Sequence, residues 1–223
     1  MILLCNPHNP TGRVLERAEL EGIATIAADH NLTIVADEIH ADLIYPGATH
    51  IPMETIPAAA ERTVTLTSAT KGFNIAGLRT SIAHFGGAAL KDIFDKRLPS
   101  HLLGGPGRLG MAATMAAWTE AEAWLSDVMQ YLDGNRKQVA DWAAKANLPH
   151  HMPEATYLAW MDCRHLDLPE GLTPQQHFLE HAKVGLSEGR DFGELGQGHI
   201  RLNFATSTEI LREILERLGG ALG

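Results

Sequence analysis

Cysteine is scarce in this 223-residue sequence, which contains only Cys5 and Cys163. Two cysteines cannot form the disulfide framework of a small secreted protein, and neither belongs to a CxxC pair, so both are expected to be buried apolar residues. Long hydrophobic runs are also missing, and we therefore expect no transmembrane helix and no membrane partner. No secretory signal is recognisable before the first motif, which makes a cytoplasmic location the expectation.

Basic residues are in deficit, because 18 lysines and arginines stand against 27 acidic residues and the formal net charge is -9. Nucleic acids are bound through basic patches, so we expect no nucleic-acid partner. The twelve histidines show no HExxH or comparable ligand spacing, and no metal site is predicted. The adjacent His150 and His151 are expected to be solvated in a loop.

The first part of the chain alternates predicted strands and helices. An apolar run at 2–5 predicts a buried strand, apolar residues at helical spacing within 16–30 predict a helix, and a β-branched run at 32–36 predicts a second strand. This order is typical of a βαβ unit in a parallel sheet. Further predictions are strands at 63–67 and 80–85, a helix at 88–97, and a mostly helical stretch at 111–146 with a break near Thr119.

The pattern changes after residues 147–153, which we interpret as a domain boundary. Residues 1–146 would form an α/β domain with its connecting helices, and residues 147–223 a small α+β domain. The elements predicted in the second domain are strands at 156–162 and 199–204 and helices at 174–183 and 210–218. The helix at 174 has a favourable start, with threonine at the cap and proline at the first helical position.

Polar residues follow three of the predicted strands, at Asn9, at Asp37 and in the segment from Ser68 to Lys71. In open parallel sheets, ligands bind at the carboxyl ends of the strands. If all three strands belong to one sheet, these residues are therefore expected around one crevice.

The residue types at this edge suit pyridoxal 5'-phosphate (PLP). A partly desolvated Lys71 can form an imine with the aldehyde of PLP, and Asp37 can keep the pyridine nitrogen protonated, which makes the ring an electron sink. Asn9 can donate to the phenolate oxygen of the ring. Ser68 and Arg79 can bind the phosphate, Arg79 through a charge-assisted fork.

Several motifs in this order resemble the class I/II aminotransferase superfamily of fold-type I PLP enzymes. They are Asn-Pro-Thr-Gly at 9–12, Asp-Glu-Ile-His at 37–40, and Ser68-x-x-Lys71 with Arg79 eight residues beyond the lysine. The resemblance implies a PLP-transferase large domain, a homodimer with shared active sites, and a role for Arg201 in binding the substrate α-carboxylate.

A narrower resemblance is to the MalY/PatB group of cysteine-S-conjugate β-lyases. His40 stands where many aminotransferases have tyrosine, and the segments His-Ile-Pro at 50–52 and Thr-Tyr-Leu-Ala-Trp at 156–160 are similar to that group. The group implies cleavage of cystathionine or related conjugates to thiol, pyruvate and ammonia. An aminotransferase would use the same residues, and His40 could equally bind the cofactor or be structural.

The sequence departs from the family at its start, because Met1 precedes Asn9 by only eight residues. Family members carry a long N-terminal half before this motif, with an aromatic residue that stacks on PLP and a glycine-rich phosphate-binding helix start. We therefore expect an incomplete large domain. A truncated, inactive remnant is a third interpretation of the chain.

Overall fold

The computed structural model describes residues 1–98, 102 and 104–222. The chain divides into two units, one formed by Met1–His8 with Arg13–Asp127 and the other by Asn9–Gly12 with Val128–Gly223. The division at 127 falls inside a long helix, whereas the sequence suggested a boundary after residue 146. The assignment of 1–146 and 147–223 to the two domains of the family stays a prediction.

The first unit is built on a four-stranded sheet with the order β1-β2-β3-β4. The strands β1 to β3 are parallel, and β4 pairs antiparallel with β3. Helix α1 joins β1 to β2, which confirms the predicted βαβ unit. The strands are β1 (Ile2–Cys5), β2 (Ile34–Asp37), β3 (Thr63–Thr67) and β4 (Ile82–Phe85), and α1 is Arg17–Asp29.

One face of this sheet is covered by α1. Leu20, Ala24 and Ala27 recur at helical spacing and are fully buried, and they pack in one cluster with Ile34 and Ala36 of β2. The helix begins after Glu16, whose backbone N–H donates to a carboxylate oxygen of Glu19 at 2.9 Å. This contact satisfies a backbone donor that the first helical turn leaves unpaired.

The remaining helices of this region follow β3 and β4. The short α2 directly follows β3, and the predicted helical stretch at 111–146 is confirmed as two helices, α4 and α5, that are separated at Ala121. The helices are α2 (Ala69–Gly72), α3 (Ala88–Arg97), α4 (Arg108–Glu120) and α5 (Glu122–Lys145), and α5 continues into the second unit.

The second unit contains a three-stranded antiparallel sheet with the order β5-β7-β6. Helix α7 places Leu211, Leu215 and Leu218 on one buried face, and the hydroxyl of Ser207 accepts the Ile210 N–H at its start. The predicted α+β pattern is confirmed. The elements are β5 (Leu158–Asp162), α6 (Pro174–His181), β6 (Ser187–Glu188), β7 (His199–Asn203) and α7 (Thr208–Gly220).

Residues 1–98, 102 and 104–222 contain no membrane-spanning helix and no metal-binding cluster. None of the helices in this part of the chain is both long and apolar enough to cross a bilayer. Over the same residues, no group of three or more histidine, cysteine, aspartate or glutamate side chains is placed to hold a metal ion. Cys163 is buried and unpaired with any other cysteine, and burial raises the pKa of its thiol to about 12.

Candidate active site

Asp37 is the last residue of β2 and is partly buried. Its Oδ1 accepts a hydrogen bond from the Ile39 N–H at 3.2 Å, which closes a tight turn directly after the strand. Among the residues that the structure describes, no partner is recorded for the second carboxylate oxygen. Asp37 therefore retains one oxygen that can bind a proton donor of a ligand.

Ser68 and Lys71 follow β3. Ser68 caps helix α2, because its Oγ accepts the Thr70 N–H at 3.1 Å. The same hydroxyl donates to the carbonyl oxygen of Thr80 at 2.6 Å. Lys71 is the third residue of α2 and is partly exposed. Cap and helix together fix the backbone from which Lys71 projects.

The sheet register brings these two segments to the same edge. Asp37 pairs with Leu66 in the parallel β2–β3 ladder, so the carboxyl ends of both strands lie side by side. The first residue after β2 is held against β3 as well, since the Glu38 N–H donates to the carbonyl of Leu66, a residue of β3, at 2.8 Å. Thus the structure brings Asp37 and the segment from Ser68 to Lys71 to one edge of the sheet.

Arg79 follows a short 3-10 turn and directly precedes Thr80, which is hydrogen-bonded to Ser68. It is exposed and has a left-handed backbone conformation with φ of 49°, which is uncommon for a residue other than glycine. The next residue, Thr80, is the one whose carbonyl accepts the Ser68 hydroxyl. The guanidinium is thus attached to a backbone that Ser68 helps to fix.

His40 is buried, with 3% of its surface exposed. Its carbonyl oxygen accepts the Leu43 N–H at 2.9 Å, so its backbone belongs to the turn that follows Asp37. This position is compatible with either of the two roles considered for it, and the cofactor role stays a prediction.

Arg201 and Asn9 belong to the second unit and are in direct contact. One guanidinium nitrogen of Arg201 donates to Asn9 Oδ1 at 2.7 Å, and the other donates to Ser187 Oγ at 2.9 Å. The guanidinium carbon also lies 4.7 Å from the centre of the Phe192 ring, a favourable cation–π distance. These three contacts fix the position of the Arg201 side chain.

The electrostatic surroundings of Arg201 are partly desolvated. Burial lowers the pKa of Arg201 below its usual value, and the nearby Tyr157 acts in the opposite direction. Burial also raises the pKa of Tyr157. An arginine remains protonated at neutral pH despite such shifts, so Arg201 presents a fixed cation that can bind a carboxylate.

Two contacts of Arg201 were not found from the sequence. Ser187 lies directly opposite Arg201 in the β6–β7 ladder, but β6 has only two residues and gives no periodic signal. Phe192 lies in a short 3-10 segment within the glycine-rich stretch at 189–198, for which the sequence predicts no helix or strand. Neither residue type in such a context points to arginine binding.

The family of the chain follows from comparison with known proteins. The family model for aminotransferase class I and II matches residues 1–218, and the chain belongs to that family. The match confirms the resemblance to the class I/II aminotransferase superfamily that was inferred from the motifs at 9–12, 37–40 and 68–71.

Individual relatives narrow the comparison. "Putative cystathionine beta-lyase" of Mycobacterium leprae is 44% identical over 99% of this chain and 57% of its own length. Cystathionine beta-lyase PatB of Bacillus subtilis is 33% identical over 100% of this chain and 58% of its own length. The resemblance to the MalY/PatB group is thereby confirmed.

A solved structure supports the same conclusion for the fold. Cystalysin from Treponema denticola, whose crystal structure contains a pyridoxal 5'-phosphate cofactor, superposes with a TM-score of 0.93 at 33% identity, over 99% of this chain and 56% of cystalysin. The PLP-transferase fold is confirmed. The chain spans somewhat more than half the length of the relatives it matches.

Proposed function

We propose that this chain carries the active-site residues of a PLP-dependent carbon–sulfur β-lyase that cleaves cystathionine or related cysteine-S-conjugates to thiol, pyruvate and ammonia. The observation that carries the proposal is the juxtaposition of Asp37 with the segment of Lys71 at one sheet edge. The printed names of the relatives, cystathionine β-lyases among them, support the reaction class.

The side chains available at this edge fit PLP. Asp37 has a carboxylate oxygen that its own turn does not use, as required of a residue that keeps a pyridine nitrogen protonated. Among the described residues, Lys71 takes part in no ion pair, so its amine is not committed to a carboxylate. An acid and an uncommitted amine on neighbouring strand ends are the donor set that the cofactor requires.

Each residue has one proposed task. When bound, PLP supplies an electron sink that stabilises negative charge at the substrate Cα. Lys71 Nζ holds the cofactor and then accepts the proton from the substrate Cα, while a carboxylate oxygen of Asp37 holds the proton on the pyridine nitrogen. The guanidinium of Arg201 pairs with the substrate α-carboxylate, and Asn9 assists at the phenolate oxygen.

Ser68 and Arg79 are the proposed ligands of the cofactor phosphate, and they are expected to differ in how strongly they bind it. The Ser68 hydroxyl proton is directed to the Thr80 carbonyl, and a phosphate oxygen can only accept, so Ser68 has to release Thr80 before it can donate to phosphate. Arg79 is exposed and provides five N–H donors. We therefore propose that Arg79 is the stronger phosphate ligand of the two, and that His40 contributes to the cofactor site from the turn.

Partners and location complete the proposal. A small amino-acid substrate fits the names of the relatives, and the family resemblance favours a homodimer and a cytoplasmic location. The net charge of -9 supports the absence of a nucleic-acid partner.

Cofactor labelling tests the proposal. The purified chain is incubated with PLP and reduced with borohydride, and the modified peptide is identified by mass spectrometry. We expect the label on Lys71, loss of that label in Lys71→Ala, and an unchanged label in Lys91→Ala, which alters an exposed lysine that pairs with Asp95. A label on another lysine, or no label, would contradict the assignment.

An aminotransferase is the second candidate, favoured by the family model that covers residues 1–218. Lys71, Asp37 and Arg201 would have the same tasks up to removal of the Cα proton, so these residues do not separate the two reactions. Formation of pyruvate and free thiol from cystathionine without a keto-acid acceptor supports the lyase. Strict dependence on an acceptor supports the aminotransferase.

A further inference from the structure

Glu38 and His50 form a buried acid–base pair beside the proposed cofactor site. Glu38 Oε2 lies 3.0 Å from His50 Nε2, and the two side chains are only 4% and 8% exposed. The proposed function gives neither residue a task. Among the ion pairs recorded for the described part of the chain, this one is the most deeply buried.

The carboxylate of Glu38 is satisfied on both oxygens. Its Oε1 accepts the Met53 N–H at 2.8 Å, while Oε2 faces His50. The main chain of Glu38 is held as well, since its N–H donates to Leu66 and its carbonyl accepts the Ala41 N–H at 2.9 Å. Glu38 thus joins the end of β3, the turn after β2 and the segment at 50–53.

Stability alone explains this arrangement poorly. Removing a carboxylate from water is costly, and well-packed apolar residues often replace a buried pair without loss of stability. Such a pair instead holds the segments that carry it in one arrangement, because its hydrogen bonds are directional. The adjacent residue is Asp37, whose Oδ1 accepts from Ile39 on the other side of Glu38.

We propose that Glu38 and His50 are positioning residues that fix the turn after β2 and thereby orient the Asp37 carboxylate toward the cofactor. The inference rests on the proposed function, because it assumes that Asp37 binds the pyridine nitrogen. Both recorded contacts of the Glu38 carboxylate are to His50 and Met53, so Glu38 acts on Asp37 through the backbone that the two residues share.

Two substitutions break the pair in different ways. Glu38→Gln keeps an acceptor for Met53 but places an amide N–H opposite His50 Nε2, so His50 has to carry its proton on Nδ1, a buried atom with no hydrogen-bond partner in the described part of the chain. His50→Ala removes the donor. His50→Gln is the conservative variant, because its amide can still donate to Glu38.

A matched control exists in the same unit. Glu54 and His84 form a pair of the same residue types, with His84 Nδ1 2.5 Å from Glu54 Oε2, but their side chains are 33% and 59% exposed. Glu54→Gln therefore changes the same functional group without touching the turn after Asp37.

The first readout is the free chain, observed by NMR. In Glu38→Gln and His50→Ala we expect a shifted carboxyl carbon resonance of Asp37 and at least about tenfold faster hydrogen exchange of the Ile39 amide, because the turn opens more often. Wild-type values are expected in Glu54→Gln, and values close to wild type in His50→Gln. Variants that melt earlier but keep both Asp37 and Ile39 unchanged would overturn the inference and leave the pair merely structural.

The second readout is bound cofactor. Glu38→Gln is expected to weaken PLP binding by about tenfold, as loss of a supporting contact typically does, and to shift the absorption maximum of the bound cofactor. If wild-type chain takes no label at Lys71, the proposed function fails whatever the NMR result. If wild type is labelled and Glu38→Gln binds PLP with unchanged affinity and spectrum, the positioning role fails while the proposed function stands.

Discussion

The hydroxyl of Ser68 connects the start of α2 to the turn that contains Arg79. It accepts from the Thr70 N–H and donates to the Thr80 carbonyl while being only 4% exposed. The sequence suggested phosphate binding for this residue, and that role stays a prediction. What the structure adds is a local reason for serine at this position, whether or not a ligand is bound.

Ser68→Ala is expected to lower the free energy of unfolding by about 2 to 3 kcal/mol, since it removes a helix cap and leaves a buried carbonyl without its donor. Ser207→Ala is the matched control, because Ser207 caps α7 through a single bond to the Ile210 N–H and should cost only about 1 kcal/mol. Urea denaturation measures both. Equal losses in the two variants would show that the Thr80 contact contributes nothing.

His150 was expected to be solvated, and the structure shows otherwise. Its side-chain Nε2 is buried, and its backbone forms an isolated antiparallel β-bridge with Met161. Burial, with a smaller contribution from His151, lowers the pKa of His150 to about 4. The sequence could not predict that His150 is partly buried while the adjacent His151 is exposed, because both lie in the same turn-rich segment.

The lowered pKa of His150 predicts a stability change with pH. The folded chain keeps this imidazole neutral, whereas the unfolded chain takes up a proton once the pH falls below about 6.5. The contribution is therefore complete above pH 6.5 and is lost progressively as the pH falls toward 4. The urea midpoint should drop between pH 7.5 and 5.

Two variants isolate the His150 contribution. His150→Gln should reduce the drop in the urea midpoint, while the exposed His151→Gln should leave most of it. Some pH dependence should persist in both variants, because burial also lowers the pKa of His8. An unchanged drop in His150→Gln would contradict the assignment.

At the scale of secondary structure, the hydrophobic pattern predicted most elements correctly. The leucines of α7 have one strong periodicity, and burial follows it. The run at 2–5 does form a strand, but the expected burial was wrong, because Leu3 is 74% exposed and the other three residues are only partly buried. The sequence did not predict that β4 is antiparallel to β3. The direction of a strand depends on its connection to the sheet, and the residues of the strand itself do not indicate it. The sequence did not predict β6, because a strand of two residues is too short to show an alternating hydrophobic pattern.

Helix α7 provides a direct test of this periodicity. Leu211 is fully buried, so Leu211→Ala should lower the free energy of unfolding by about 2 to 5 kcal/mol through lost apolar contacts and a residual cavity. The neighbouring Ile210 is 52% exposed, and Ile210→Ala should change the free energy of unfolding by less than about 0.5 kcal/mol. A comparable loss in both variants, measured by urea denaturation, would refute the assigned face.

At the scale of the whole molecule, one motif makes a contact that the order of elements did not predict. Asn9 follows β1, and its position after a parallel strand predicted a place near Asp37 and Lys71, which stays a prediction. In the structure the segment Asn9–Gly12 is grouped with the second unit, where Asn9 contacts Arg201. Such an assignment depends on contacts between residues almost two hundred positions apart, which no local pattern encodes.

Gly12 shows why this short segment has its particular sequence. Its φ is +70°, and a Cβ at this position would lie 2.3 Å from Pro153 Cβ and 2.8 Å from the Ala155 carbonyl. The Gly12 carbonyl also accepts the backbone N–H of Glu154 and of Ala155. Glycine is therefore required both for the left-handed conformation and for the close approach.

The path of the chain through Asn9–Gly12 has a consequence for recombination. A genetic crossover at 127/128 would appear to exchange the whole second unit with that of a relative. The resulting chimera would nevertheless combine Asn9 and Gly12 of one parent with Arg201 and Ala155 of the other. Inheritance of an intact second unit therefore needs a further exchange around codons 9–12, so that these codons descend from the same parent as the distant residues they contact.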